Sequence, residues 1–382
     1  MEPKTSGKGF YLNVILFSIA FLFIGNFIAT RGMEERYDPY APDFFYAVVT
    51  NIVDRREVHH DIWGDGGTTN IYVDFTARIT RGEFRGTEVT AVHSIFEGLI
   101  PNEQEVREGD RVVLVYLEFN DQYFFANHVR INYIMILGAI FFVLMLWFGR
   151  QKGLNAIIAL VFTCMSVFFV LVPAIVAGRN IYMVTIIVCA YVILSTLLTV
   201  LGPGKKAVAS ILGCFGGVLL AGVLMLFADM FISLTGFVDH DTLSLTMLDT
   251  PIDLRALIFA GVIIGAVGAI MDVSLSISTS LWELREAGVG SFDRIFRSGL
   301  NIGKDILGTM LNTLVLAYIG SSLSLILLIT VHTASFTELF NSEMVIVEFL
   351  RAMVGSFGMF LAIPLTAAVC GWLYENSSGY GE

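Results

Sequence analysis

An aspartate inside a long apolar run is the residue of this chain best placed to do chemistry. Asp272 stands near the end of an uncharged run that begins at Ala256. An ionisable side chain costs about 2.5–3.5 kcal/mol to insert at the centre of a span on translocon scales, so such residues are functional candidates. We predict that Asp272, with Ser274 and Ser276, faces the interior of a helix bundle and holds an ion or a proton. The alternative is that Asp272 anchors the cytoplasmic end of its span.

A second polar group follows at helical spacing. Asp305, Thr309 and Asn312 share one face of the next helix, and Thr313 adjoins them. We predict that this face lines the same polar route as Asp272. The alternative is that Asp305 only caps the amino terminus of its helix, where a carboxylate is favoured.

A third group consists of Glu348 and Arg351, three residues apart near the outer end of the last apolar segment. They either bracket a cavity on the route or form a local ion pair.

Histidine and cysteine give weaker signals. His240 lies between Asp239 and Asp241, a set that could bind a divalent metal or sense pH, although its spacing matches no recognised metal motif. The four cysteines fall in apolar runs without a CxxC pair, so we expect core residues. No cofactor is predicted.

The composition is that of a membrane protein. Of 382 residues 55% are hydrophobic and 15% charged, and the mean hydropathy is +0.74. The net charge of −11 comes mostly from residues 31–130, which hold 18 acidic and 10 basic residues. The charge therefore belongs to one domain, and no nucleic-acid partner is expected.

Eight segments are long and apolar enough to span a bilayer. They are residues 10–29, 131–149, 154–177, 181–201, 207–235, 256–277, 306–330 and 344–374. The fold class is an α-helical polytopic membrane protein of about eight transmembrane helices, with a small extracytoplasmic all-β domain. Residues 1–30 form an N-terminal membrane anchor helix, 31–130 the β domain, and 131–382 a seven-helix bundle with a cytoplasmic interfacial helix near 280–300.

Basic residues set the orientation, because Lys and Arg mark cytoplasmic loops. With the amino terminus inside, every lysine falls on the cytoplasmic side. We therefore predict a multi-pass protein of the cell membrane with both termini cytoplasmic and the β domain outside.

The β domain shows period-two alternation, with Ile71, Val73 and Phe75 opposed to Tyr72 and Asp74. Further strands are predicted at 45–53, 88–92 and 111–119, separated by Gly-containing turns. The domain carries no catalytic constellation, so we expect it to serve recognition, gating or assembly.

Four segments of the chain resemble the bacterial YibE/F family. They are the ITRGEFRGTEV run at 79–89 and the membrane segments at 265–274, 301–314 and 355–366. The resemblance implies an N-terminal anchor, an external β domain and a bundle of about seven spans. It bears on architecture and carries no activity.

Two functions are compatible with these features. The first is a secondary transporter or permease for a small solute or ion, with the polar groups lining its route. The second is a non-transporting assembly or signalling protein whose β domain binds an envelope partner. We expect that the protein is not an enzyme, because no nucleophile and base stand together in the sequence. The lipid bilayer is its expected environment.

Overall fold

The computed structural model describes residues 7–31, 43–60, 68–96, 103–117, 120–238, 242, 245–246, 252–332 and 335–375. The chain forms two compact units. One comprises residues 1–33 with 145–382, and the other residues 34–144.

The smaller unit contains a closed five-stranded barrel. Its strands are β1 (Asp43–His60), β2 (Thr68–Ile79), β3 (Glu88–Phe96), β4 (Arg111–Leu117) and β5 (Gln122–His128). They follow the order β1-β2-β3-β5-β4, with β1 also paired to β4 and only β3 and β5 parallel. This is the Greek-key arrangement of OB-type barrels.

The predicted alternation of β2 is confirmed. Phe75, Ala77 and Ile79 are fully or almost fully buried. Phe75 and Ala77 join Val49 of β1 and Leu114 of β4 in a core cluster of the smaller unit. The strands predicted at 45–53, 88–92 and 111–119 lie within or largely within β1, β3 and β4. β5 was not predicted, because QYFFANH does not alternate cleanly.

The helices are listed here in chain order. They are α1 (Gly7–Thr30), α2 (Ile131–Ser166), which continues through a π-turn at Val167–Leu171 into α3 (Val172–Val176), α4 (Ile181–Leu201), α5 (Lys205–Ile232), α6 (Leu254–Glu286), α7 (Phe292–Ser321), α8 (Leu323–His332), α9 (Phe336–Asn341) and α10 (Glu343–Glu375). Within the described residues, seven helices are long and apolar enough to cross a membrane.

One of these seven, Ile131–Val176, is 46 residues long and contains the second and third predicted spans. It is broken at Arg150, whose φ of 47° is not helical. A Cβ on Gly153 would collide with the carbonyl of Met145, although residues eight apart in a straight helix are about 12 Å apart. The chain therefore bends sharply where the sequence separates the two spans.

α6 ends later than predicted, and α7 begins earlier and ends at Ser321, with α8 following over the rest of the predicted 306–330 span. α6 begins after Asp253, which accepts a hydrogen bond from the backbone N–H of Ala256, and runs to Glu286. α7 then begins at Phe292, so the expected separate interfacial helix near 280–300 is not formed and its residues belong to α6, a short connection and α7. The reason is packing, since Phe292 lies against Gly371 of α10 and Gly299 against Ala367.

The centre of the larger unit consists of α5, α6 and α10, with α4 and α7 packed around them. Gly213 and Gly217 of α5 are points of close approach to neighbouring helices. A Cβ on Gly217 would lie 2.9 Å from both the Cβ of Ala362 and a methyl of Ile270. Small residues thus bring three helices close together.

Candidate functional site

Asp272 lies close to the middle of α6, because the helix continues to Glu286. The interfacial-anchor alternative stays a prediction. The side chain is also exposed at the surface of the bundle, whereas we expected it to face the interior. The physical reason is the helical period: Ile270, Val273 and Ser274 are fully buried and turn Asp272 to the opposite side.

Two contacts between α6 and α7 fix the depth of Asp272 relative to α7. A Cβ on Gly265 would touch the hydroxyl of Tyr318, and one on Gly299 would lie 3.0 Å from Leu281. The two helices therefore run antiparallel, and Asp272 is level with the turn of α7 around Thr309. Asp305 and Asn312 lie about one helical turn to either side of this level.

The α7 group is on the outer surface of the bundle as well. Asp305 is near the middle of α7, so the prediction that it only caps the helix is wrong. The polar residues of this face are all exposed. They are Asn301, Lys304, Asp305, Thr309, Asn312 and Thr313, and we call them the α7 polar stripe.

The stripe and Asp272 share a second property, which is missing partners. Thr309 and Thr313 donate hydrogen bonds to carbonyls one turn back in their own helix, at 2.9 and 3.0 Å. Asp272, Asp305 and Asn312 make no hydrogen bond or ion pair with any described residue. Against lipid, each carboxylate would cost about 2.5–3.5 kcal/mol on translocon scales. Contact with water, a ligand or protein would avoid this cost.

Glu348 and Arg351 form the ion pair that the sequence offered as one alternative. They also line a cavity of about 320 Å³, together with residues from the loop after α5 and the start of α6. One carboxylate oxygen, Oε2 of Glu348, is buried without a hydrogen-bond partner among the described residues. The arrangement leaves this oxygen available to a ligand in the cavity while the other oxygen of Glu348 stays paired with Arg351.

A buried hydroxyl cluster was missed by the sequence analysis. The side chain of Ser210 in α5 is hydrogen-bonded to that of Ser278 in α6, and the hydroxyl of Tyr374 donates to the Ser278 carbonyl at 3.2 Å. Ser274 and Thr366 are buried nearby, and their hydroxyl oxygens have no partner in the described part of the chain. The spacing of Ser274 and Ser278, four residues apart, is the signal that could have revealed the cluster. Of the two predicted serines, Ser274 is buried and Ser276 half-buried.

The weak metal candidates Asp239, His240 and Asp241 lie outside the described residues. Within the described ranges no group of His, Cys, Asp and Glu is arranged to hold a metal ion. The prediction that the cysteines are core residues is confirmed for Cys189, Cys214 and Cys370, whereas Cys164 is exposed.

The barrel has a polar site of its own. His93 is 1% exposed, its Nε2 lies 3.1 Å from Glu103, and burial lowers the pKa of the ring despite that carboxylate. Next to this pair, a cavity of about 950 Å³ is lined by Glu103, Asp110, Arg111, His128 and other residues of the same unit. The cavity is lined by both acidic and basic side chains, an arrangement that suits a polar ligand.

The fold and these polar groups define an integral, multi-pass membrane protein with an added β-barrel domain. The model of the YibE/F-like protein family matches residues 137–376, which is more than half of the chain, and the chain belongs to this family. The match covers the helices from α2 to α10 and does not include the barrel. No curated protein and no solved structure matches the chain.

Proposed function

We infer that this protein is a secondary transporter or permease for a small polar solute or ion. One observation carries the inference: Asp272 lies near the middle of α6, Asp305 and Asn312 lie within about one helical turn of its level on α7, and none of the three has a partner among the described residues. Unpaired polar groups at membrane depth are the usual mark of a substrate or ion pathway. Asp272 is the ion or proton site, and Thr309 of α7 supplies a neutral ligand at the same level.

The cavity at Glu348 and Arg351 is the entrance to this pathway. It lies at the end of the bundle formed by the start of α6 and of α10, whereas Asp272 is about eighteen residues, or about 27 Å, along α6. The buried Oε2 of Glu348, which has no partner among the described residues, supports binding of a cation at this end. The lysines indicate that both termini lie on the cytoplasmic side of the cell membrane. In that orientation this end of the bundle faces the outside, and the barrel also lies outside.

Reconstitution into liposomes tests the proposal. Solid-supported membrane recordings with Na⁺, K⁺, H⁺ and Mg²⁺ gradients should give a current with the wild-type protein. Asp272→Asn should abolish that current, since it removes the charge and preserves the size. Gly268→Ala is the matched control, because a Cβ at this exposed position of α6 meets nothing within 4 Å. No current with any of these ions, or equal currents from Asp272→Asn and the wild type, would contradict the ion-transport form of the proposal.

The barrel favours a second candidate function, recognition of an envelope partner. Its mixed-charge cavity of about 950 Å³ belongs to a unit with its own core, so ligand binding there needs no transport. Isothermal titration of the barrel with envelope extracts, compared with Arg111→Ala, would show whether the cavity takes a ligand. No catalytic activity is proposed for either unit.

A further inference from the structure

The α7 polar stripe points to a second copy of this chain as its partner. We propose that two copies meet across this stripe, α7 against α7, around a two-fold axis that runs along the membrane normal. The inference goes beyond transport, because it follows from the surface of α7 whether or not the protein moves a solute. It also supplies a protein surface in contact with these unpaired polar groups.

The stripe has a centre line and two flanks. At about 100° per residue, Asn301, Gly308 and Asn312 fall within about 40° of one another around α7 and form the centre line. All three are exposed, and a Cβ on Gly308 would meet nothing within 4 Å. A glycine at the middle of the line allows the backbones of two helices to approach closely.

The flanks carry opposite charges. Lys304 lies on one side of the centre line and Asp305 on the other, and neither makes an ion pair with any described residue. In a two-fold pair of parallel helices, the left flank of one copy faces the right flank of the other. Lys304 of each copy therefore meets Asp305 of its partner at nearly the same depth, which gives two reciprocal ion pairs. Asn312 meets Asn312, and amide side chains hydrogen-bond to each other across membrane helices.

The opposite face of α7 is already occupied. Ile295, Gly299, Gly303 and Leu307 are buried against the bundle. These contacts fix the rotation of α7 about its axis. The stripe is therefore held on the exposed side of the helix. A self-complementary charge pattern on such a face favours a copy of the same chain over an unrelated partner.

Cysteine cross-linking measures the proposed contact. Because Cys164 is the only exposed native cysteine in the described chain, Asn312→Cys is introduced into a Cys164→Ala background and oxidised in native membranes. Phe360→Cys is the control. Phe360 is exposed and lies two residues beyond Gly358, which packs against Ile270, so it is at the depth of Asp272 on another side of the bundle.

The expected result is a disulfide-linked dimer for Asn312→Cys, at least five-fold more abundant than for Phe360→Cys. Equal yields, or a cross-link only to a protein of another mass, would overturn the proposal. So would a monomer whose Asn312→Cys reacts freely with a membrane-impermeant maleimide, since the stripe would then face water.

A charge exchange tests the pairing itself. Lys304→Glu alone and Asp305→Lys alone each place like charges together and should lower the dimer fraction in lipid-dilution energy transfer several-fold. The double variant should restore it, because both ion pairs are re-formed with reversed sign. A double variant that remains as monomeric as the single ones would refute the two-fold contact. Asp272→Asn should leave the dimer fraction unchanged, so a failure of the transport proposal remains distinguishable from a failure of this one.

Discussion

The barrel should fold without the membrane helices, and one strand of it supplies a matched pair of substitutions. Val49 and Val53 both belong to β1, but Val49 is 2% exposed in the core and Val53 is 57% exposed. Val49→Ala removes two buried methyl groups, worth about 1.6 kcal/mol in transfer free energy, and leaves a cavity that raises the loss to about 2–3 kcal/mol. Val53→Ala should cost less than about 1 kcal/mol, mainly through strand propensity.

Urea unfolding of a fragment spanning residues 40–130, followed by far-ultraviolet circular dichroism, gives both values. With a slope of about 1.5 kcal/mol per M, Val49→Ala should lower the midpoint by about 1.5 M and Val53→Ala by less than half as much. The reasoning would be refuted by a fragment without a cooperative transition, which would mean that the helices complete its core. Equal losses for the two variants would refute the assignment of the buried face.

Further predictions concern the ring of the buried histidine, the packed glycines and the topology. Burial lowers the pKa of His93, so the unfolded chain takes up its proton at a higher pH than the fold does; barrel stability should be full above about pH 6.5 and fall below it. His93→Gln should flatten this dependence in pH-titrated melting. Gly217→Leu should abolish the folded protein in detergent size-exclusion chromatography, whereas Gly268→Ala should not, because only Gly217 lacks space for a side chain. In intact cells an impermeant maleimide should label a cysteine introduced at Glu83 in the barrel and should not label one introduced at Lys205. The reverse pattern would show that the membrane orientation is opposite to the predicted one.

The sequence alone predicted the structure correctly where a segment has a single clear hydrophobic periodicity. In β2 the alternation from Ile71 to Ile79 assigns each side chain to one of two faces, and the structure buries the predicted set. The apolar helices were predicted for a similar reason, since a run of about 20 apolar residues is typical of a membrane-spanning helix. The last turns of α6 were missed because they contain several polar residues. They are held to the bundle by Trp282, whose ring centroid lies 5.2 Å from Nζ of Lys206. That contact joins residues far apart in the chain, which no local pattern shows.

The sequence singles out Asp272 as a candidate residue but does not indicate on which side of α6 it lies. The cost of a carboxylate in a span identifies Asp272 from sequence alone. Which side of α6 faces neighbours depends on the glycines of α5 and α10, which draw those helices to the face of Ile270. The pairing of Glu348 with Arg351 was foreseen because three residues make nearly one turn, whereas the contact of Ser210 with Ser278 needs the tertiary fold.

The central claim is that the charge of Asp272, and not merely its polarity, is required for function. Complementation of a deletion strain tests this claim without knowledge of the substrate, by the growth or metal-sensitivity phenotype that the deletion produces. Asp272→Asn retains size and hydrogen bonding, so it should fail to complement at wild-type protein level and thermal stability, as should Asp272→Leu. Full complementation by Asp272→Asn, with loss of function or expression only in Asp272→Leu, would show a packing role and contradict the transport mechanism.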